Sequence, residues 1–331
     1  MPCKQTNILR VRQRNIPLII AASRSLSISE ISRIAHRPKS SIQHFFSSLI
    51  ERRKAYLRMR FNYLAFGLYG AVVLREPPHP HTDFYTFTIR RVNRLGAWAF
   101  LSFLLTPYPP IDSISGLFVS WYPHLSFEVG ALRRDGSFDA DTAWKHSDVA
   151  MEVVEEMLSA KRRVPDPVDA ALLFNSFLSY TLPWKRLKLP LKIAREIGVY
   201  DSKRLSWHFN AHLRPYWIWN SFTPFPDLST APQLLFILRG KDAARVVAAF
   251  SVFYPYGFGV IGEQKSALLI NLPCPLMPGF FDVLSRAKVE GEYWLVEPAL
   301  RREVPRFWRA LKRDGRYYVW RRMEAVVNAG H

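Results

Sequence analysis

The stretch "LPLKIAREIGVYDSKRLSWHFNAHL" (Leu189–Leu213) decides how this chain is read, because it repeats a layout already met in "ISEISRIAHRPKSSIQHFFSSLIERRK" (Ile28–Lys54). In the later stretch, Ile193, Ala194 and Ile197 carry helical apolar spacing, and Gly198 stops it, since glycine tolerates a left-handed cap. Asp201-Ser202 can cap a second helix. On that helix Leu205, Phe209 and Leu213 recur every four residues and mark one buried face. In the earlier stretch Ile31, Ile42, Phe46 and Leu49 take the matching places, and His36-Arg37-Pro38 stands where the later one has glycine.

The segments after the two helical pairs also match. After the later pair come a β-rich run (Gln233–Gly240), a helical run (Lys241–Phe253) and two strands around the polar turn Glu263–Ser266. A helix with Pro278 in its first turn and a closing strand complete the order β-α-β-β-α-β, which implies a ferredoxin-like sandwich. The first half reads the same way, with strands at Leu68–Leu74, Trp98–Leu105 and Leu117–Pro123 and helices at Asp83–Leu95 and His124–Gly136. The predicted class is α+β. Two winged-helix-type helix-turn-helix units (1–64 and 166–226) alternate with two ferredoxin-like modules (65–145 and 227–298). A linker helix (146–165) separates the halves as a solvated spacer, and a basic extension (299–331) closes the chain. That extension reads equally as a clamp on a polyanion or as a packed segment with a charged outer face, and its run to Lys312 is predicted helical.

A helix-turn-helix followed by such a module resembles the archaeal Lrp/AsnC transcription regulators. The supporting residues are Ile31, Ile34-Ala35, Ser40-Ser41 and Leu49, then Ile193-Ala194, Ile197-Gly198, Leu205 and Leu213. The layout occurs twice, over roughly 13–145 and 166–298. The resemblance implies a sequence-preferring DNA-binding transcription regulator that acts as a monomeric pseudo-dimer or a homodimer.

Charge bears on the partner. Lys and Arg number 46 against 27 Asp and Glu, a net charge of +19, which favours polyanions. It is concentrated where the helical pairs lie: Met1–Arg60 holds 13 Lys/Arg against two acids, and Trp184–Arg214 holds eight against two. Residues expected to face base edges or phosphates are Lys39, Ser40, Ser41, Gln43 and His44 in the first unit. In the second they are Lys203, Arg204, Ser206, Trp207 and His208. Arg52, Arg53, Lys54, Arg58 and Arg60 would lie along the backbone as a wing. The expected partner is nucleic acid, with DNA favoured. The alternative is an RNA-binding, ribosome-associated factor, whose exposed aromatics would stack on unpaired bases.

Other classes are read as absent. GxxxxGK[ST] and HExxH do not occur, and Gly257, Gly259 and Gly262, at a strand position, read as part of a hairpin rather than a phosphate cradle, so a non-enzyme without a cofactor is expected. Two cysteines, Cys3 and Cys274, are too few for a disulfide framework or a zinc site. His79 and His81 are the closest histidines considered for a metal, and no metal is expected. The apolar runs Ile16–Ala22 and Leu95–Leu105 are too short to span a bilayer, so no membrane partner and a cytoplasmic location are expected.

Overall fold

The computed structural model describes residues 12–51, 55–76, 86–178, 188–224, 231–302 and 306–321. The chain opens with α1 (Ile16–Ser23), α2 (Ile28–Ala35) and α3 (Lys39–Glu51). Ile16, Leu18, Ile19, Ala21 and Ala22 are all buried on α1, the pattern of a helix enclosed by its neighbours. α2 ends at His36, which takes the left-handed conformation at φ +49° where glycine would be easier. β1 (Ala55–Phe61) follows α3 and pairs antiparallel with β6 (Trp217–Pro224) from the second half. Asn220 on β6 donates to the carbonyls of Ala22 and Ser25, 2.8 Å each. The end of α1 is therefore held by a residue from the other half of the chain.

Two sets of four strands form the centre. β2 (Tyr69–Arg75), β3 (Thr86–Arg94), β4 (Ala97–Thr106) and β5 (Ile114–Ser120) lie in the order β3-β4-β2-β5. β7 (Gln233–Arg239), β8 (Gly257–Ile261), β9 (Lys265–Asn271) and β10 (Glu290–Arg302) lie in the order β8-β9-β7-β10. β5 pairs with β8 and β10 with β3, both antiparallel, so the eight strands close into one barrel. Alternate residues point inward, among them Val72, Leu101, Phe103, Leu235, Val260 and Leu269. The rings of Phe103, Phe118 and Phe258 meet at centroid distances of 5.2–5.8 Å. The residual cavity is about 10 Å³, so the lumen is a packed core. Outside, α10 (Ala243–Phe253) and α11 (Met277–Arg286) bury Val247, Phe250, Phe280 and Val283 with Phe236 and Leu268 of the sheet.

The closed barrel corrects the expected architecture of alternating winged-helix units and ferredoxin-like modules. A separate module leaves both edges of its sheet open, and open edges are a liability. Here each edge strand pairs with the other half. β1 and β6 stand where the two wings were expected, and they pair with each other instead. Asp83–Leu95, predicted as a helix, is strand from Thr86 onward: aromatic and β-branched residues dominate it. Leu95 and Gly96 take φ +41° and +86° to turn tightly into β4. The helix predicted for His124–Gly136 shrinks to α4 (Pro123–Glu128), because Gly130 and Gly136 are left-handed and Leu132 bridges to Phe138. α5 (Ala140–Lys145) and α6 (Ser147–Ser159) pack on α10. The expected spacer is thus no solvated rod: α6 buries Ala150, Val154 and Met157. No helix among the described residues is long and apolar enough to cross a membrane.

The basic extension also differs from its predicted helix. A 3₁₀ turn at Phe307–Ala310 leads into the hairpin β11 (Leu311–Asp314) and β12 (Tyr317–Trp320). Trp320 Nε1 donates to the Phe66 carbonyl at 3.0 Å, and Trp308 Nε1 donates to Glu196 at 2.8 Å. Arg309 adds bonds from Nε (3.0 Å) and Nη2 (2.5 Å) to the same carboxylate. Chiefly through Arg309, and also Trp308, the Glu196 carboxyl is held down to about 2. A depressed folded-state pKa stabilises above the ordinary carboxylate value and loses that effect as pH falls toward 2. Solvent screens this rim pair, so its worth is about 1 kcal/mol or less. Glu196→Gln is expected to speed amide exchange over Phe307–Trp320 at pH 7, and to differ little from the parent near pH 2. Equal exchange at both pH values would remove Glu196 from this role.

Candidate metal centre

The sequence Pro165-Asp166-Pro167-Val168-Asp169 starts α7 (Pro167–Leu178). Proline suits the first helical position, where its missing N–H costs nothing. Asp166 is the cap: its Oδ1 accepts from the amides of Val168 (2.8 Å) and Asp169 (2.9 Å). Asp169 reaches back, and its Oδ2 accepts from the Asp166 amide at 3.3 Å, a reciprocal arrangement of the capping-box kind. Arg163 Nη2 lies on that same Oδ2 at 3.2 Å. Each carboxylate thus has one oxygen engaged by the helix start and one turned elsewhere.

The other side comes from "HFNAH" (His208–His212). α8 (Leu191–Ile197) ends at left-handed Gly198, and α9 (Ser202–His208) is capped by Asp201, which accepts from Lys203 N at 2.9 Å. Beyond His208 the chain widens into a π turn, Phe209–Leu213, a feature found disproportionately at functional sites. Phe209 and Leu213 go into the core. His208 and His212 both turn to Asp169: His208 Nδ1 is 2.9 Å from Asp169 Oδ1, and His212 Nδ1 is 3.0 Å from both Oδ1 and Oδ2. His208 Nδ1 is also 3.3 Å from Asp166 Oδ2.

Ligand-type atoms of Asp166, Asp169, His208 and His212 all lie within 4.8 Å of one another. Three of the six ligand–ligand spacings, 2.9–3.3 Å, approach the roughly 3.3 Å edge of a tetrahedron with bonds of about 2.0–2.1 Å, and the rest stay within 4.8 Å. Asp169 and His208 are buried, while Asp166 and His212 are half-buried and open the cluster on one side. Burial pushes the Asp169 carboxyl up, the charge of Asp166 adds to this, and the imidazoles of His208 and His212 oppose it. Buried carboxylates persist when paired or metal-bound, and here the Arg163 guanidinium meets Asp169. Trp207 is 58 % exposed and stands edge-on to both imidazoles at 4.9 and 4.8 Å, forming the outer wall.

Of the residues expected to touch nucleic acid, Trp207 and His208 join this cluster, and the burial of His208 takes it away from any external polyanion. Lys39, Ser40, Ser41, Gln43 and His44 are exposed along α3, and Lys203 and Arg204 are exposed on α9 beside half-buried Ser206. Arg58 and Arg60 are half-buried on β1 rather than on a free wing. Arg60 Nε donates to Ser221 Oγ at 3.0 Å, and burial lowers its pKa. Arg52, Arg53, Lys54, His79 and His81 lie outside the described residues. Sequence reasoning passed over Arg163, Asp166, Asp169 and His212. The available signal was H-x₃-H in a helical segment, the spacing that puts two imidazoles on one face.

No protein-family profile matches the chain, and no curated protein matches it. Among solved structures, it aligns with the crystal structure of the siroheme decarboxylase NirDL at TM-score 0.44 and 10 % identity, covering 90 % of this chain and 96 % of that one. It also aligns with the same enzyme in complex with an iron-uroporphyrin III analogue, at TM-score 0.39 and 10 % identity, covering 92 % and 95 %. A likeness at these scores assigns this chain neither a substrate nor a reaction. The expected reading of a duplicated, non-enzymatic DNA-binding regulator or ribosome-associated factor finds no counterpart in these alignments: both of these neighbours are structures of an enzyme.

Proposed function

We propose that the protein is a metalloprotein that holds one divalent first-row transition ion between the start of α7 and the π turn after α9. The ligands are Asp169 Oδ1, Asp166 Oδ2, His208 Nδ1 and His212 Nδ1. One observation carries the reading. The fully buried Asp169 meets two imidazole nitrogens, His208 and His212 at Oδ1 and His212 also at Oδ2, while Oδ2 and Asp166 Oδ1 are engaged by the helix start. A set of two nitrogens and two oxygens suits zinc and its neighbours in the series. With all four ligands bound the ion ties α7 to α9 and acts as a structural brace. Asp166 is the ligand nearest the solvent side, and its departure would open a position for water or substrate.

The test is metal stoichiometry on the full chain after chelation and reloading. One equivalent of zinc is expected, and cobalt substitution should give the visible bands of a four-coordinate site. His212→Ala should weaken binding by about 10- to 100-fold, an order common for metal-site changes. The ion also lies close to Trp207, so reloading should change tryptophan emission. A chain that takes up no zinc or cobalt above background overturns the proposal. The imidazole–carboxylate distances would then describe a metal-free pair of histidines oriented by Asp169, the arrangement of a general acid–base.

A further inference from the structure

A second site lies between α1, α4 and the turn after α4, and shares no residue with the metal centre. It is a cleft of about 420 Å³, in the range of small-molecule sites. Ile20, Phe127 and Leu132 supply apolar wall, and Arg24, Arg133 and Arg134 supply cations, with His124 beside them. Arg133 is engaged by Asp139 at 2.8 Å. Arg24 meets Glu128 at only 3.5 Å, and both side chains are at least half exposed, so that pair holds weakly. Arg134 has no acidic partner among the described residues.

The orientation of His124 adds a second polar requirement. Ser23 is buried and its hydroxyl donates to the Ile20 carbonyl at 2.8 Å, while His124 Nδ1 lies 3.2 Å from the same hydroxyl oxygen. Directing the hydroxyl proton to the nearer Ile20 carbonyl assigns the tautomer with Nδ1 as donor and Nε2 as the remaining acceptor. Burial, and then the charge of Arg24, lower the imidazole to about 4, so the ring is neutral near pH 7. A neutral acceptor beside arginines fits a ligand with both an anionic end and a hydroxyl.

We propose that this cleft binds a small organic anion: a carboxylate on an apolar body that also bears a hydroxyl group. Arg134 and Arg24 take the carboxylate, for which the guanidinium fork is well shaped. Ile20, Phe127 and Leu132 cover the body. The hydroxyl donates to His124 Nε2. Glu128 gives up a weak partner when the ligand arrives.

The probe is 4-hydroxybenzoate, titrated calorimetrically into the full chain, with benzoate and phenol as comparisons. Saturable one-site binding is expected for 4-hydroxybenzoate, weaker binding for benzoate and weaker still for phenol. Arg134 is exposed, so Arg134→Ala should fold normally and weaken 4-hydroxybenzoate by about tenfold, as should Arg24→Gln. His212→Ala should leave this binding unchanged, which separates the cleft from the metal reading. The proposal is overturned by non-saturable heats with 4-hydroxybenzoate. It is equally overturned if both arginine variants bind as the parent does, or if phenol binds as tightly as the acid.

Discussion

Asp169→Ala is expected to abolish metal uptake and to destabilise the protein by about 3 kcal/mol or more, the scale for breaking a buried charged network by removing one partner. The side chain is fully buried and serves Arg163, His208, His212 and the Asp166 amide together. Its loss leaves a half-buried guanidinium and two imidazoles without their shared acceptor, and desolvated polar groups without partners are costly. Asp169→Asn keeps the shape and part of the hydrogen bonding, so it should recover part of the stability and little of the metal affinity. Asp166→Ala, in contrast, removes a helix cap worth about 1 kcal/mol and one of four ligands. Zinc content and urea melts of the three variants give the ranking. Undiminished zinc affinity in Asp169→Ala would sink the assignment.

Gly116→Ala should be the most damaging single methyl in the barrel. Gly116 sits on β5 where that strand meets the end of β8. A Cβ there would stand 1.9 Å from the Ile261 carbonyl oxygen and 2.9 Å from the Gly262 Cα. Both obstacles are backbone and cannot rotate aside, so the β5–β8 seam must part. That seam is one of two that close the barrel between its halves, and parting it exposes two strand edges. A loss above about 4 kcal/mol is expected, at the extreme of single substitutions, seen as insoluble or non-cooperatively melting protein. Gly96→Ala is the control, since nothing lies within 4 Å of its added carbon. It should cost only about 1 kcal/mol, from its left-handed backbone. If the two variants melt alike, the close approach at Gly116 is not what holds the seam.

Several elements were legible because their signals are local. The β-rich runs Gln233–Arg239 and Lys265–Asn271 and the helical spacing of Ala243–Phe253 correspond to β7, β9 and α10. The cap at Asp201 and the stop at Gly198 are where spacing and side-chain chemistry put them. Thr86–Arg94 was not legible, since its aromatic and basic residues also suit an amphipathic helix; its partner strands β4 and β10 settle it. The basic charge drew attention to the exposed faces of α3 and α9. The candidate metal cluster lay behind α9, on residues that carry no excess charge.

From the sequence alone came the two helical pairs, most second-half strands and the concentration of positive charge, all of them consequences of nearest-neighbour spacing and composition. Barrel closure was decided by tertiary structure, because which edge meets which depends on pairings such as Leu117 with Ile261, between residues far apart in the chain. So was the candidate metal centre. Asp169 and His208 come within 2.9 Å only when α7 packs against α9, driven by apolar contacts such as Leu172, Phe209 and Leu213 that give no hint of the polar groups they bring together.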